Sequence, residues 1–219
     1  MKIHHLLKDN SVATTFIAQL RDVKIQKDRL RFRRNIERLG EIMSYELSKT
    51  LAYTEKTITT PLDTIKQPYL QNDLVICSIL RAGIPLHNGI LNYFDDADNS
   101  FISAYRHHLD NSEEFEIKVE YMASPSLENK TLLLADPMLA TGRSFANVME
   151  ALQEMGKPKA IHLMAVIGAQ EGIDYLEKIL PENVHLWIAA IDPDLDENGY
   201  IVPGLGDAGD LCFGTKKQH

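Results

Sequence analysis

The stretch TLLLADPMLATGRSFANVMEAL, residues 131–152, predicts a strand, a turn and a helix in succession. Residues 131–135 form a short apolar run, which is typical of a strand buried in a parallel sheet. Residues 144–155 have helical spacing, and Gly156 followed by Pro158 is an ordinary helix end. The turn between strand and helix carries an acid, two hydroxyl side chains and a glycine, which are Asp136, Thr141, Ser144 and Gly142. Because ligands of open parallel sheets bind beyond the carboxyl ends of the strands, this turn is a candidate binding site.

Apolar runs alternate with helical stretches along the chain after Pro68. The runs are LVICSIL (74–80), SFISAY (100–105), EIKVEYM (116–122), TLLLA (131–135), AIHLMAVI (160–167) and NVHLWIAAI (183–191). Helical spacing occurs at 85–94, 144–155 and 171–180. This alternation predicts an α/β fold with a doubly wound, mostly parallel sheet that carries helices on both faces. The second and third runs have no helix between them, so 100–122 is predicted to be a β-hairpin arm.

The first part of the chain, residues 1–60, is predicted to be a helical region. Ser11 is a candidate cap for a helix over 12–20, and a second helical pattern covers 26–51. The second pattern places seven side chains near one face, namely Leu30, Ile36, Leu39, Ile42, Met43, Tyr45 and Leu47. No linker or internal repeat divides the sequence, so residues 1–219 are predicted to form one domain.

The composition is that of a globular protein without a broad nucleic-acid surface. The chain has 219 residues, 44% of them hydrophobic, and a formal net charge of −8. No stretch approaches the roughly 18 apolar residues of a membrane span, and no signal core is visible at the start. Cys77 and Cys212 fit no CxxC or zinc pattern, and Cys77 lies in an apolar run where a buried thiol is expected. We therefore expect a cytoplasmic protein that binds neither nucleic acid nor membranes.

The turn at 136–144 has the chemistry of a phosphate site. Backbone N–H groups that open a helix favour a phosphate, and Gly142 allows close approach of the backbone. Thr141 and Ser144 can donate hydroxyl hydrogen bonds. The turn matches neither GxxxxGK[ST] nor GxGxxG. On turn chemistry alone, an ordinary strand–turn–helix connection explains it equally well.

The string DPMLATG (136–142) resembles the phosphoribosyl pyrophosphate (PRPP) motif of type I phosphoribosyltransferases, in the form used by uracil phosphoribosyltransferases. Most type I relatives carry acids at the places that Pro137 and Ala140 occupy here. The resemblance implies that the Ala140–Ser144 turn holds the 5′-phosphate and that Asp136 engages the ribose hydroxyls. It assigns PRPP binding to Asp136, Pro137, Met138, Leu139, Ala140, Thr141, Gly142, Arg143 and Ser144. Arg143 is a departure, because the family commonly has a small residue there.

Two further stretches are similar to PRPP-binding segments of the same family. SILRAGIPLHNG (78–89) resembles its ILRAG loop, and a planar Arg81 cation at a strand end suits pyrophosphate oxygens. Taken in isolation, Arg81 would be interpreted as half of a surface salt bridge. SAYRHH (103–108) corresponds to the place of a second PRPP-contacting arginine, so the resemblance implies this role for Arg106.

The stretch YIVPGLGDAGDLCFGT (200–215) resembles the uracil loop of the family. Four glycines and a proline make an unusual loop whose backbone groups can face a ligand. Uracil presents alternating carbonyl acceptors and N–H donors, and a peptide backbone is a suitable complement. The resemblance assigns uracil binding to Ile201, Gly206, Asp207 and Ala208. It also makes Asp207 a contact to the PRPP end and, with Arg81 and Arg106, a catalytic residue.

The family resemblance implies transfer of phosphoribosyl from PRPP to uracil, with Mg²⁺ entering mainly through PRPP rather than through protein ligands. It also implies a homodimer or larger homo-oligomer. The basic cluster KDRLRFRR (27–34) is interpreted as a solvated helix face or as an effector site, since some relatives are activated by GTP. Two alternatives stay open at this point: a regulator that binds nucleotides and RNA, and a phosphoribosyltransferase for another base.

Three other patterns are set aside. IDPDLDENG (191–199) fails the EF-hand pattern, so an acidic solvated turn is expected. The pairs His4-His5 and His107-His108 lack metal-ligand partners and are interpreted as surface residues. Ser144 has no histidine and acid partners of a hydrolase motif, which argues against a nucleophilic serine.

Overall fold

The computed structural model describes residues 1–71, 73–108 and 115–216, with the backbone alone described between 104 and 120. The strands are β1 (Lys2–His5), β2 (Tyr53–Thr59), β3 (Thr64–Leu70), β4 (Leu74–Leu80), β5 (Asp98–His108), β6 (Phe115–Ala123), β7 (Thr131–Ala135), β8 (Met138–Leu139), β9 (Ala160–Ala169), β10 (Val184–Asp192), β11 (Asp194–Leu195) and β12 (Ile201–Val202). The α-helices are α1 (Val12–Arg21), α2 (Arg29–Ser48), α3 (Gly83–Leu91), α4 (Arg143–Leu152), α5 (Gln170–Ile179) and α6 (Ala208–Phe213).

The main sheet has the strand order β1-β10-β9-β7-β4-β5-β6, and β8 also pairs with β9. Its neighbouring strands are parallel except at the β5–β6 edge, where they are antiparallel. The predicted α/β fold with a mostly parallel sheet is therefore confirmed. The apolar runs predicted for β4 and β7 match the observed strands residue for residue.

Helices cover both faces of this sheet. One core cluster contains side chains of α1, α2, α3 and α6, and the other contains side chains of α4 and α5. Successive residues of β4 alternate between the two clusters, as the period of a strand requires. Leu74 and Ile76 belong to the first cluster, while Val75 and Cys77 belong to the second. Both faces are buried, which is why these strands read as continuous apolar runs rather than as alternating ones.

The region 1–60 is helical only in part, which corrects the prediction made for it. Ser11 caps α1 as expected, and α2 forms within the predicted second helix. However, β1 lies at the edge of the main sheet, and β2 pairs with β3 in a separate antiparallel hairpin. The side chains of β2 are exposed along its length, so the apolar–polar alternation that would have revealed a strand is missing.

Two of the seven side chains assigned to the buried face of α2 are exposed instead. Leu30 is 64% exposed and Tyr45 is 54% exposed. Leu30 lies in the first turn of the helix, and the Lys49 ammonium lies 4.5 Å from the centre of the Tyr45 ring. The other five assigned side chains are buried or half-buried. The buried face of α2 is therefore predicted correctly, but it is narrower than predicted.

The predicted β-hairpin arm is formed by β5 and β6. Their antiparallel pairing runs from Phe101↔Ala123 to His108↔Phe115, with a register shift after Ser103. Residues 109–114 of the predicted arm lie outside the described residues. Across the described ranges, none of the helices is long and apolar enough to cross a membrane.

The predicted motifs follow the carboxyl ends of the parallel strands. They therefore lie along one edge of the sheet, the edge that these strand ends form. β4 ends next to Arg81 and β7 ends next to Asp136, and the two strands pair through Ser78↔Ala135. β10 ends at Asp192, from which the chain passes through β11 and β12 to α6. This edge of the sheet is therefore the candidate ligand-binding site.

Candidate active site

The turn after β7 is fixed to the neighbouring strand and helix by its backbone. The Pro137 carbonyl accepts hydrogen bonds from the N–H groups of Val166 and Ile167, both at 3.0 Å. Gly142 precedes α4 with a φ of 77°, and a Cβ there would lie 2.8 Å from the Gly172 carbonyl oxygen. Only glycine fits this left-handed, crowded position. The turn therefore holds the N–H groups at the start of α4 in a defined direction.

Asp136 is the acid at the base of this turn, and its Oδ1 accepts the Met138 N–H at 3.2 Å. Burial raises the pKa of Asp136 to about 7, the Met138 hydrogen bond opposes the rise, and the negative charge of Asp207 adds to it. The influence of Asp207 reveals that two predicted site residues, far apart in sequence, act on each other.

Arg81 follows β4 directly, after a cis Leu80–Arg81 peptide bond. Its guanidinium donates to the Asp210 carboxylate at 3.1 Å and to the Gly214 carbonyl at 3.0 Å. The Arg81 side chain is 41% exposed. The arginine of the ILRAG-like loop thus makes a salt bridge, and its partner belongs to the C-terminal segment of the same edge.

The loop from 200 to 208 has a constrained backbone. Ile201 is buried in β12, and the Val202–Pro203 peptide bond is cis. Gly204 and Gly206 have φ values of 60° and 92°, which side-chain-bearing residues rarely adopt. Ala208 is buried as the first residue of α6. The loop is a shaped backbone surface rather than a row of projecting side chains.

Asp207 caps α6 and connects the loop to the rest of the site. Its Oδ1 accepts the Asp210 N–H at 2.9 Å, and its Oδ2 lies 3.1 Å from the Lys216 ammonium. Burial alone would raise the pKa of Asp207, but the bonds from Asp210, Lys216 and Gly209 outweigh it and lower the pKa. Asp207 is therefore held as a carboxylate, while Asp136 nearby is easily protonated.

The structure thus brings Arg81, Asp136, the 137–144 turn and the 201–208 loop to one edge of the sheet. Arg143 begins α4, and its N–H donates to Thr141 Oγ1 at 3.4 Å. The side chain of Arg106 lies outside the described residues, although its backbone belongs to β5. In the described part of the chain, no three His, Cys, Asp or Glu side chains are arranged to hold a metal ion.

Sequence reasoning missed three side chains that contact the loop. Arg21, Gln26 and Asp192 form hydrogen bonds with the backbone of Gly204 and Leu205. The signal for Asp192 was present, since it ends an apolar strand run, but the acidic stretch after it suggested a solvated turn. That interpretation is right for Asp196, whose carboxylate accepts the N–H groups of Asn198 and Tyr200.

Of the two histidine pairs interpreted as surface residues, His4 and His5 are half-buried, and the side chains of His107 and His108 lie outside the described residues. His4 Nε2 lies 3.0 Å from His185 Nδ1, and the His4 ring stacks on Trp187 at 3.8 Å between ring centres. His162 Nδ1 accepts the Trp187 indole N–H at 3.1 Å. This histidine–tryptophan cluster (His4, His162, His185, Trp187) lies in β1, β9 and β10, toward the strand ends opposite the candidate site. The interpretation of His4 as a surface residue is therefore wrong.

Comparison with known proteins gives concordant results over nearly the whole chain. A family model described as "Uracil phosphoribosyltransferase" matches residues 7–215. A Porphyromonas gingivalis protein of that name is 50% identical over 216 residues, which cover 99% of this chain and 100% of that protein. A solved structure of an Aquifex aeolicus protein has a TM-score of 0.86 and 27% identity, covering 97% of this chain and 98% of the other. A Staphylococcus aureus hypoxanthine phosphoribosyltransferase structure has a TM-score of 0.52 and 18% identity, covering 86% and 84%, and shares the fold alone.

Proposed function

The chain belongs to the uracil phosphoribosyltransferase family, and we propose that it transfers the 5-phosphoribosyl group of PRPP to N1 of uracil, giving UMP and pyrophosphate. The observation that carries this proposal is the convergence of the three family motifs at one sheet edge. Arg81 contacts Asp210, and the charge of Asp207 acts on Asp136. Segments from three parts of the chain therefore lie close to one another where one substrate pair would have to meet.

The PRPP end of the proposed site uses the first two motifs. The backbone N–H groups and hydroxyls of 140–144 face the 5′-phosphate at the start of α4. The Asp136 carboxylate accepts hydrogen bonds from the ribose hydroxyls. Arg81, with Arg106 from the arm, stabilises the negative charge that develops on the leaving pyrophosphate. These residues orient the ribose C1 so that uracil N1 attacks from the face opposite to the leaving group.

Mg²⁺ is proposed as the metal of the reaction, bound mainly through PRPP oxygens. The donor set at this edge fits this arrangement, because Mg²⁺ is commonly held by one or two carboxylates together with substrate phosphates and water. Asp136 and Asp207 are the acidic side chains available for such a supporting role. When bound, the ion neutralises charge on the departing pyrophosphate.

The base end uses the backbone of the loop. Gly206, Asp207 and Ala208 offer peptide groups to the donor and acceptor edge of uracil, and Ile201 belongs to the same buried cluster as Ala208. A buried backbone N–H facing O4 of uracil would face the amino group of cytosine instead. Leaving that donor unpaired costs roughly 1–3 kcal/mol, so cytosine is disfavoured.

We also propose a cytoplasmic homodimer or larger homo-oligomer whose activity responds to GTP at the basic cluster 27–34. Two observations support an effector role for the cluster. The Arg33 guanidinium donates to the Cys212 carbonyl in α6 at 2.7 Å and lies over the Phe213 ring. An anion that draws Arg33 away would therefore act on the segment that carries Asp207 and Asp210.

The decisive experiment is UMP formation from uracil and PRPP with Mg²⁺, alongside parallel reactions with cytosine, hypoxanthine and no base. UMP and pyrophosphate should form in equal amounts from uracil alone. If another base reacts faster than uracil, that base rather than uracil is the substrate. RNA binding in a gel-shift assay without UMP formation would favour a regulator, which the net charge of −8 argues against.

A further inference from the structure

The loop that carries the proposed uracil contacts begins at Asp192 and comes back to it at Gly204, so these two residues are neighbours in space. Asp192 is the last residue of β10, and from it the chain runs out through β11 and back through β12. Asp192 Oδ2 accepts the Gly204 N–H at 2.9 Å, and this hydrogen bond joins the two ends of the loop. We call Asp192 and Gly204 the base of the loop. Asp192 is 4% exposed, so this hydrogen bond is made by a buried carboxylate.

Arg21, the last residue of α1, completes the base of the loop. Its guanidinium donates to both oxygens of Asp192, at 2.7 and 2.6 Å, and to the Gly204 carbonyl at 2.9 Å. The N–H and the C=O of Gly204 are thus both held by one bidentate arginine–aspartate pair. Two parallel bonds of this kind fix an orientation that a lysine cannot reproduce.

Gln26 holds the next peptide group along the loop. Its Nε2 donates to the Leu205 carbonyl at 3.1 Å and to the Leu20 carbonyl at 2.8 Å. Three backbone polar groups are therefore bound by Asp192, Arg21 and Gln26, namely the N–H and C=O of Gly204 and the C=O of Leu205. The chain then turns at Gly206 and enters the 206–208 segment, whose peptide groups face the base in the proposed function.

The base of the loop depends on distant residues, whereas its tip is locally closed. At the tip, Asp196 binds backbone N–H groups within its own turn. At the base, Gly204 is in a left-handed conformation, and the Arg21 bonds to Asp192 and Gly204 join residues 171 and 183 positions apart. The direction of the peptide groups at 206–208 is thus set from α1 and from the α1–α2 connection.

We propose that Arg21, Asp192 and Gln26 are positioning residues for base selection, holding Gly204 and Leu205 so that the following peptide groups present the uracil-specific pattern. This inference rests on the proposed function. Disturbing these side chains should affect the use of uracil and its separation from cytosine but not the affinity for PRPP. The reason is that, within the described residues, the hydrogen bonds of these side chains go to the loop, to one another and to Leu20, and none goes to the 136–144 turn.

The test compares Arg21→Lys, Asp192→Asn and Gln26→Glu with wild type and with Asp98→Asn, a control at an exposed pair with Lys130. For each protein the KM for uracil, the KM for PRPP and the uracil-to-cytosine ratio of kcat/KM are measured. We expect the uracil KM to rise about tenfold in each variant, the base ratio to fall by a similar factor and the PRPP KM to stay within about twofold. Asp98→Asn should match wild type.

Thermal melts and amide hydrogen exchange at 204–208 accompany the kinetics. Faster exchange at these amides, with the rest of the sheet unchanged, is the expected accompaniment. Uracil and PRPP constants that change in parallel, or a base ratio unchanged in all three variants, would overturn the assignment in an active enzyme. A wild-type protein that forms no UMP overturns the proposed function itself, and that outcome is distinct from the first.

Discussion

The guanidinium of Arg81 donates to the Asp210 carboxylate and to the Gly214 carbonyl, so a pyrophosphate group has to compete with both. In the proposed site, exchanging these two partners of Arg81 for a pyrophosphate is favourable, because a pyrophosphate offers several charged oxygens to the same planar cation. In the proposed site, this one residue would link PRPP binding to the position of the C-terminal segment.

Arg81→Ala should lower kcat/KM for PRPP by roughly 30- to 1000-fold, which corresponds to about 2–4 kcal/mol of lost transition-state stabilisation. The fold should survive, since the side chain is 41% exposed and its ion pair with Asp210 is of a kind that contributes little to stability. Steady-state kinetics and a thermal melt check both parts. Lys49→Ala, at the exposed pair with Glu46, is the control and should leave both unchanged. Near-normal kcat/KM in the Arg81 variant would remove Arg81 from the site.

Asp136 gives a pH dependence with a definite sign. Its pKa in the folded protein is raised to about 7 from an ordinary value of 3.8, so the carboxylate form becomes dominant only as the pH rises through about 7. PRPP affinity, measured by calorimetry without uracil, should therefore increase between pH 6 and pH 8. Asp136→Asn should weaken binding and abolish this increase. The same rise in wild type and variant would assign the titration to another group.

The same substitution should stabilise the protein at high pH. A raised carboxyl pKa favours the folded state at low pH, and this contribution is lost as the pH rises from about 4 through about 7. At pH 8, Asp136→Asn removes a desolvated charge and keeps an oxygen for the Met138 N–H. We expect a gain of about 1 kcal/mol, or about 2–4 °C in Tm for a chain of this size. An unchanged or lower Tm at pH 8 would contradict the burial of a charge there.

At this scale, the sequence identifies residues whose role is encoded in a local string and misses those whose role depends on a distant partner. Arg81, Asp136 and Asp207 lie in recognisable motifs at strand or helix ends. Arg21 has no local signal, because its partner Asp192 is 171 positions away and becomes its neighbour only in the folded chain. Asp192 is also followed by several acids, which made the whole stretch look solvated.

Among the elements, α6 carries the proposed base-reading segment at its first residue. Ala208 occupies the first helical position, where proline is well accommodated because the N–H has no partner within the helix. Ala208→Pro should therefore preserve the helix. It would delete one N–H that faces uracil in the proposed site, so kcat/KM for uracil should fall by roughly tenfold or more. Ala208→Gly, which keeps the N–H, is the matched control. PRPP affinity should be similar in both variants, and full uracil activity in the proline variant would contradict a backbone reading of the base.

Strands β1, β9 and β10 share the histidine–tryptophan cluster, and this predicts acid sensitivity. Burial lowers the pKa of His4 and of His162 to about 4, with further lowering by His185 in both cases. Burial also lowers the pKa of His185, as do the charges of Lys2 and the amino terminus. The unfolded chain binds protons at these rings near pH 6.5, so stability should fall as the pH drops from about 6.5 towards 4, by at most about 1.4 kcal/mol per pH unit for each ring.

Denaturant unfolding followed by the fluorescence of Trp187, the single tryptophan, measures this dependence directly. His162→Gln keeps an acceptor for the indole N–H and should make the decline between pH 6.5 and pH 5 shallower. An equal slope in wild type and variant would mean that other groups cause the decline.

The long buried strands were predictable because burial on both faces leaves an uninterrupted apolar run, as in β4 and β7. The hairpin of β2 and β3 was not predictable by the same rule, because its side chains are exposed except for Leu70 at the end of β3, and because β3 contains a proline, Pro68. Its turn is closed by Thr60, whose hydroxyl oxygen accepts the N–H groups of Leu62 and Asp63.

For the whole molecule, this exposed hairpin supports the proposed oligomer. Leu62 is 97% exposed, and Ile58 and Ile65, which pair across the hairpin, are 37% and 52% exposed. Apolar side chains grouped on a projecting element are typical of an interaction surface. We expect a homodimer or larger assembly in light scattering at micromolar concentration, and dissociation on Ile65→Glu. Thr57→Glu, on the same hairpin without loss of an apolar side chain, is the control, and a wild-type monomer would contradict the proposal.

The pairing of β1 with β10 joins residues 2–5 to residues 185–188. A ribosome makes β1 before the other strands of the main sheet and β10 after them, so β1 has to remain without this partner while they are made. Strand β4 pairs with β5 and with β7 over much shorter stretches of sequence, so these three strands can assemble earlier. The order of synthesis therefore places the pairing of β1 with β10 after the centre of the sheet and the 136–144 turn have formed.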